Sequence, residues 1–515
     1  MTSRLRVADL LAGLSVASDL GMGLHPEEAM RATLTATGLA RRMGLDEYEV
    51  GHVLYTTLLL HVGCTAYAHE AAAAFGDEIA VNAASTRTNF LDPRDVLTTF
   101  IPAVTSDRDR RERARATAYA LIRGRSFGRR STTAVCEVGR LAARRLGLPE
   151  AVQQGLYEVF EHWNGKGTPR GLAGEETGIA ARVARVASGA IVFAGIGGPE
   201  LAVQALTKRA GSMFDPTIVE AFAGHAAGLI EQASTGDPRG QILATEPKPV
   251  AYRDAAELSE LATVFADLAD LKTPFTHGHS REVSRLAGAA AERLRLGPAT
   301  ASRVRLAGLL HDLGRIAIST AIWEKPGALT AAEWDQVRLH PYHSERILAG
   351  SQALEPVASL AGMHHERLDG SGYHRGCKAQ QIPLAARILA AADAYQAMTQ
   401  SRAHRGALDP AQAAEELAKD SRAGFLDSDA VTAVLEVAGQ RRPRRRTDLR
   451  PAGLSEREIE VLRLVARGCS NHQIAEHLVI SRRTAEHHVQ HIYTKIGTSS
   501  RPAAAVFALE HDLLN

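Results

Sequence analysis

The sequence predicts an all-α protein, built as two tandem helical bundles followed by a small helical domain, and three observations carry that reading. With 515 residues the chain exceeds what one hydrophobic core holds, and ~100 to 200 residues per domain gives about three domains. Aromatic residues make up only 5%, while Ala, Leu, Arg and Glu recur throughout, a composition that favours helices. A segment of the first half also reappears in the second, which marks a duplication.

Composition also excludes several classes. Hydrophobic residues are 45%, charged residues 23% and the net charge +2, the balance of an ordinary soluble protein. The N-terminal run MTSRLRVADLLAGLSV is followed by Asp19 and interrupted at Ser15 and Ser18, so no signal peptide is expected. Nor is a membrane span, because no run of about 18 uncharged apolar residues occurs. Cys64, Cys136, Cys377 and Cys469 lie far apart without a CxxC pair, which argues against a disulfide framework or a zinc ribbon. The expected location is a reducing cytoplasm.

The duplication is legible without gaps. Residues 161–188 align on 366–393, with Glu161, Gly165, Gly167, Arg170, Gly171, Ala180, Ala181, Arg182 and Ala187 identical to their counterparts. Upstream, LLLHVGC at 58–64 matches LLHDLGR at 309–315. Between the copies, 236–254 holds three prolines and no clear apolar periodicity, so the boundary is placed there. The expected domains are 1–240, 255–440 and 451–515, joined by a tether at 441–450 that carries six arginines against Asp448 alone.

Within the second copy, His279, His311, Asp312, His340, His364, His365 and Asp393 occur in order, in HGHSREV, LLHDLGR, RLHP, HHERLDGSGYHRG and AADAYQAMT. Imidazole nitrogens with carboxylate oxygens suit iron, manganese or zinc, and seven donors are too many for one tetrahedral ion, so two divalent ions are expected. His311 and Asp312, ~100° apart if helical, allow one residue to bind terminally while the carboxylate bridges. Two ions so placed generate a nucleophile from water near neutral pH and stabilise charge on a phosphoryl oxygen.

These motifs resemble the HD-GYP subgroup of the HD superfamily over about 255–440. The resemblance implies a helical bundle, all seven metal ligands, and hydrolysis of the bacterial messenger cyclic di-GMP. It places Asp312 and Arg315 in the catalytic centre and Arg315, Tyr373, Arg402 and Arg405 around the substrate. Arg315 stands where the family has lysine, and His374 where it has the proline of GYP. Members with a third ion carry a glutamate at the position of Phe275, so two ions remain the expectation.

Carried into the first copy, the ligand positions fall on Leu60, His61, Val159, Phe160 and Ser188, with His25 a weak match to His279. This copy is expected to bind no metal pair and to serve as a dimerisation or sensing module.

From Leu454 the sequence yields three short helices. Ser455 and Glu458 form a capping box, Ser470 and Ser481 cap the second and third helices, and Ala485, Val489, Ile492 and Ile496 make the inward stripe. The segment resembles the LuxR-type helix-turn-helix DNA-binding domain, through SNHQIA, SRRT and HVQHIYTKIG. The resemblance implies double-stranded DNA as partner, base reading by Glu486, His487 and Gln490, phosphate contacts by Arg483, Thr484 and Lys495, and a homodimer on paired half-sites.

Together these features describe a DNA-binding regulator whose second copy hydrolyses or senses a cyclic dinucleotide. Two alternatives stay open: a regulator with non-catalytic sensing or dimerisation copies, and a phosphohydrolase for another nucleotide or phosphate ester.

Overall fold

The structure is a computed structural model that describes residues 4–106, 110–439, 451–511 and 513–514, so the tether expected at 441–450 lies outside the described residues. Helices dominate throughout, in two compact units, Met1–Ala255 and Ala256–Asn515.

The first unit is organised around the Ile179–Thr207 helix, which packs against Glu28–Arg42, Glu47–Leu58, Pro216–Ala223 and Ala226–Ser234. Val183, Val186, Ala187 and Ala190 lie along one face and bury against Leu39, Leu206 and Phe222, apolar area at roughly 25 cal/mol per Å². By length and composition this helix is long and apolar enough to cross a membrane. It is nonetheless a core helix here, and Gly197 and Gly198 break it, with φ −153° and +78°. Phe75 anchors a separate aromatic cluster, edge-on to Phe100, Tyr119 and Phe127.

Residues 236–254, where three prolines and the lack of clear periodicity placed the boundary between the copies, carry a helix and a strand. Asp237 caps a helix over Pro238–Thr245, where Pro238 takes the first-turn position that needs no N–H. Tyr252–Asp254 then pairs antiparallel with Arg4–Arg6. Glu246 locks this edge by accepting from Arg6 Nε at 2.6 Å and from the Tyr55 hydroxyl at 2.8 Å.

The second unit begins with the helices Leu258–Asp270, His279–Arg293 and Pro298–Leu310, continues through His340–Ala349, Glu355–Gly362 and Leu384–Thr399, and closes with Pro410–Arg422 and Ser428–Gly439. The repeat is visible in its details. The isolated bridge Asn164–Ala173 has its counterpart in Asp369–Lys378, and the ion pair Arg182–Asp215 (2.6 Å) in Arg387–Asp427 (2.9 Å).

The last part of this unit holds helices Glu456–Ala466, Asn471–Leu478 and Arg482–Ile496, with Ser455, Ser470 and Ser481 as their caps. Ala485, Val489 and Ile492 are buried as the periodicity requires, and Tyr493 joins them while Ile496 is only partly covered. A fourth helix, Arg501–Glu510, escaped the sequence reading although Ser500 caps it and Pro502 sits in its first turn.

Candidate metal centre

The histidine–aspartate pair sits at the end of a helix, not inside one. His311 is the C-cap of Pro298–Leu310, and Asp312 leads into a 3-10 turn over Leu313–Ala317. Gly314 is required there, because a Cβ would lie 2.0 Å from the His340 carbonyl oxygen. The Ser344 hydroxyl accepts from the Gly314 N–H at 2.8 Å and donates to the His311 carbonyl, clamping this turn to the His340–Ala349 helix.

All seven predicted ligands converge. His279, His311 and Asp312 form one group, and His340, His364 and His365 a second, with donor atoms within 4.8 Å of one another in each. Asp312 lies between them. Its Oδ1 is 3.3 Å from His340 Nε2 and 3.6 Å from His364 Nε2, while Oδ2 is 3.7 Å from His279 Nε2 and 3.5 Å from His311 Nε2. Asp393 likewise faces both groups, 3.0 Å from His279 Nε2 and 3.7 Å from His365 Nδ1.

Backbone carbonyls fix the rings. The Nδ1 atoms of His311, His340 and His364 lie 2.8, 2.6 and 2.6 Å from the carbonyl oxygens of Gly308, Val337 and Ala361. A carbonyl only accepts, so each Nδ1 carries the proton, and a neutral ring then presents its Nε2 lone pair inward. His340 is such a ring, since burial pushes it down to about 4 despite Asp312. Its Nε2 stands 3.1 Å from that of His364, and His311 Nε2 is buried with no hydrogen-bond partner. Ring nitrogens and carboxylate oxygens aimed at a common region fit divalent cations.

The electrostatics agree. Burial raises Asp312 and Asp393, yet the imidazoles facing them, His279 and His311 for Asp393 and His311 with Arg315 for Asp312, hold both well below the usual carboxylate range. Burial lowers His311, and the same two carboxylates carry it up to about 9. Positive charge is demanded here.

Around this centre, Arg315 Nη1 reaches Asp312 Oδ2 at 3.2 Å, and its guanidinium lies 3.9 Å over the Trp323 ring. The Tyr373 ring is 4.3 Å from His365. Arg402 is mostly buried, and burial together with the charge of Arg315 holds it down to about 10. Arg405 is differently employed: its guanidinium donates to the carbonyls of Ala397, Met398, Gln400 and Gly406, securing the end of the Leu384–Thr399 helix. Trp323, Gln400 and Glu366 were missed in the sequence. Gln400 Oε1 is 3.1 Å from His279 Nδ1, and Glu366 accepts from the Arg375 and Cys377 N–H groups to hold the glycine-rich loop. Glu366 had a signal, its identity with Glu161, which holds the equivalent first-copy loop through three N–H groups.

In the first unit three of the ligand positions are apolar, while His61 is buried with neither ring nitrogen hydrogen-bonded and Ser188 is half-buried. Leu60 and Val159 pack with Cys136, Ala181 and Ala184, and Phe160 covers them. His25 is exposed.

On the helix-turn-helix, Arg483, Thr484, Glu486, His487 and Gln490 are exposed on the Arg482–Ile496 helix. Thr484 shares the Ser481 cap, and Glu486 pairs with Arg482 at 3.1 Å. Lys495 is paired as well, with its Nζ 2.7 Å from Glu458 Oε2 and donating to the Gly453 carbonyl, so it braces the domain.

Comparison with known proteins matches residues 263–429 to the HD domain family and 452–508 to the bacterial regulatory proteins of the luxR family. A 3′3′-cGAMP-specific phosphodiesterase 3 of Vibrio cholerae is 30% identical over 412 residues, 78% of this chain and 88% of that one. A cyclic di-GMP phosphodiesterase of Pseudomonas aeruginosa is 32% identical over 249 residues, 46% of this chain and 60% of that one. Among solved structures, a cyclic GMP-AMP-specific phosphodiesterase of V. cholerae superposes with a TM-score of 0.58 at 26% identity, covering 85% of this chain and 99% of the other.

Proposed function

As a member of the HD-GYP phosphodiesterase family that ends in a LuxR-type DNA-binding domain, this chain is, we propose, a cytoplasmic regulator in which hydrolysis of a cyclic dinucleotide governs DNA binding. The observation that carries the catalytic half is the pair of Nε2 atoms of His340 and His364, 3.1 Å apart. With both Nδ1 atoms held by backbone carbonyls, the two Nε2 atoms turn toward Asp312 Oδ1, and this convergence supports a cation there.

His279, His311, His340, His364, His365, Asp312 and Asp393 would hold two divalent ions of the iron or manganese class, with Asp312 offering one oxygen to each group. Such ions supply a nucleophile from water near neutral pH and stabilise charge on the phosphoryl oxygens. The remaining work falls to side chains. Arg315, kept planar against Trp323, and Arg402 offer guanidinium donors to the phosphodiester, and Tyr373 closes the face beside His365.

The relative aligned over most of this chain is named for 3′3′-cGAMP and a shorter one for cyclic di-GMP, so the substrate class is a 3′3′ cyclic dinucleotide. Reconstituted protein should therefore be offered 3′3′-cGAMP, cyclic di-GMP, linear dinucleotides and nucleoside triphosphates, with hydrolysis followed chromatographically. Turnover of a cyclic dinucleotide supports the reading; turnover of triphosphates alone replaces it.

For the regulatory half, the second copy and the DNA-binding head lie in one compact unit, and Arg281 supports their coupling. Two residues after His279, it pairs with Asp267 and donates to the Leu509 carbonyl at 3.1 Å. A ligand that shifts the His279 helix has there a physical route to the last helix of the head. Exposed Glu486, His487 and Gln490 would read bases in the major groove of an operator bound by a homodimer, with Arg483 and Thr484 on phosphates.

A further inference from the structure

The first unit carries a long helix, Arg110–Arg145, whose outer face has no part in the function proposed above. Its inner face buries Ala116, Ala120 and Phe127 beside Phe75 and Phe100. On the other side, Arg111, Arg115, Ala118, Ile122, Arg125 and Arg129 follow one another at intervals of four, three, four, three and four residues, and all six are exposed. That spacing sets them in one stripe along the helix, about 27 Å long at ~1.5 Å per residue.

The stripe is strongly cationic. Residues 107–130 hold nine arginines against Asp107, Asp109 and Glu112, and among the described residues Arg115, Arg125 and Arg129 have no ion-pair partner. The DNA-binding head offers no such excess, with seven Lys and Arg against seven Asp and Glu over 454–515. Yet affinity for duplex DNA depends heavily on basic side chains that displace the counterions condensed on its phosphates. A lipid surface fits less well. Leu121 and Ile122, 63% and 78% exposed, are the only large apolar side chains this helix exposes, too few for the apolar face with which a surface helix enters a bilayer.

We propose that the Arg111–Arg129 stripe is a second contact surface for duplex DNA, binding its phosphate backbone without reading sequence; the proposal rests on the reading of the head as a DNA-binding domain. Guanidinium groups form charge-assisted, often bidentate bonds to phosphate, and contacts of this kind add affinity but carry no base information. A duplex bears one charge per ~1.7 Å of axis, so a stripe of this length faces several phosphates. Once the head holds DNA, the stripe, joined to it in one chain, meets phosphate at a raised effective concentration. The head then selects the sequence while the first copy, emptied of metal ligands, strengthens the grip.

The test measures affinity of the full chain for a long random-sequence duplex over a range of salt concentrations. Wild type is compared with a triple variant, Arg115→Gln with Arg125→Gln and Arg129→Gln, with the same three positions changed to Lys, and with Arg483→Ala in the head. Each phosphate contact contributes ~0.9 to the slope of log K against log salt, so the Gln variant should lose about 2 to 3 from that slope and at least about tenfold in affinity near physiological salt. The Lys variant keeps the charge and should keep the slope. If Arg483→Ala weakens binding while the Gln variant matches wild type, the stripe is overturned and the head stands; the reverse pattern keeps the stripe and removes the head. A Lys variant with the flattened slope of the Gln variant also overturns the proposal, since charge would not be what matters. Vesicles of phosphatidylcholine and phosphatidylserine serve as the last probe: binding to them that needs the three arginines, with DNA binding indifferent to them, replaces DNA by lipid and overturns it too.

Discussion

His279 Nε2 lies 3.0 Å from Asp393 Oδ1 while its Nδ1 faces Gln400 Oε1 at 3.1 Å, so one ring is gripped from both sides. The amide oxygen fixes the proton on Nδ1 and leaves Nε2 as a donor atom beside a carboxylate. Gln400→Leu should therefore weaken metal affinity by about 10- to 100-fold without removing any ligand, as measured by competition with a calibrated chelator. Unchanged affinity would leave Gln400 without that role.

Trp323 should matter through Arg315. With the guanidinium 3.9 Å over the indole, Trp323→Ala releases it, and Arg315→Ala deletes it. Both variants should raise KM for the cyclic dinucleotide and lower kcat, and Trp323→Phe should restore most of the loss, because a ring face suffices. Arg315→Lys keeps the charge but not the planar stack and should fall between wild type and Arg315→Ala.

Gln490 and Arg483 should separate in DNA binding. Both are exposed on the Arg482–Ile496 helix. Gln490→Ala should relax preference at one or two base pairs by about 1 to 3 kcal/mol each, whereas Arg483→Ala should weaken all sequences alike and flatten the salt dependence. Selection from a random-sequence pool, repeated at two salt concentrations, distinguishes them.

The helix-turn-helix should lose stability in acid through Glu458. Burial raises its pKa, but the hydrogen bonds from Lys495 and Ser455 prevail and hold it down to about 2. A carboxylate depressed in the folded state stabilises the fold above its unfolded pKa of ~4.3, and that contribution disappears as pH falls through the folded value. Hydrogen exchange within 456–466 of the full chain should show Glu458→Gln less protected than wild type near neutrality, with the gap closing in acid. A gap that is independent of pH would mean that the ion pair adds nothing.

Much of this was legible in the chain. The seven histidines and aspartates that converge were named from their order and the family resemblance, while the caps Ser455, Ser470 and Ser481 and the buried stripe Ala485, Val489, Ile492 follow from helical period, a local property. What escaped is set by tertiary neighbours. Nothing local to Trp323 says that Arg315 will stack on it, and Arg405 reads as a phosphate ligand until its guanidinium is found on four carbonyls. Lys495 was expected on phosphate from the family resemblance, which says nothing of Glu458, and Glu458 stands 2.7 Å away across the domain. The structured stretch after Asp237 was hidden by its prolines, although one of them sits where a helix accepts proline.

Coupling between the two ends should run through Arg281. Operator affinity, titrated with a cyclic dinucleotide on a metal-loaded variant that does not turn it over, should change by about 5- to 150-fold, and nucleotide affinity should change by the same factor with operator. Arg281→Met, which removes the pairing with Asp267 together with the bond to the Leu509 carbonyl, should shrink that factor. If both titrations are flat, the enzyme and the DNA-binding head are merely joined.

Metal content and cyclic dinucleotide hydrolysis should be measured on the same preparations of wild type and Asp312→Ala. Because the two oxygens of Asp312 face different histidine groups, the wild type should hold about two ions per chain and turn over the cyclic dinucleotide, and both should be lost when the carboxylate is removed. An Asp312→Ala protein that keeps its metal and still cleaves the cyclic dinucleotide would contradict this assignment.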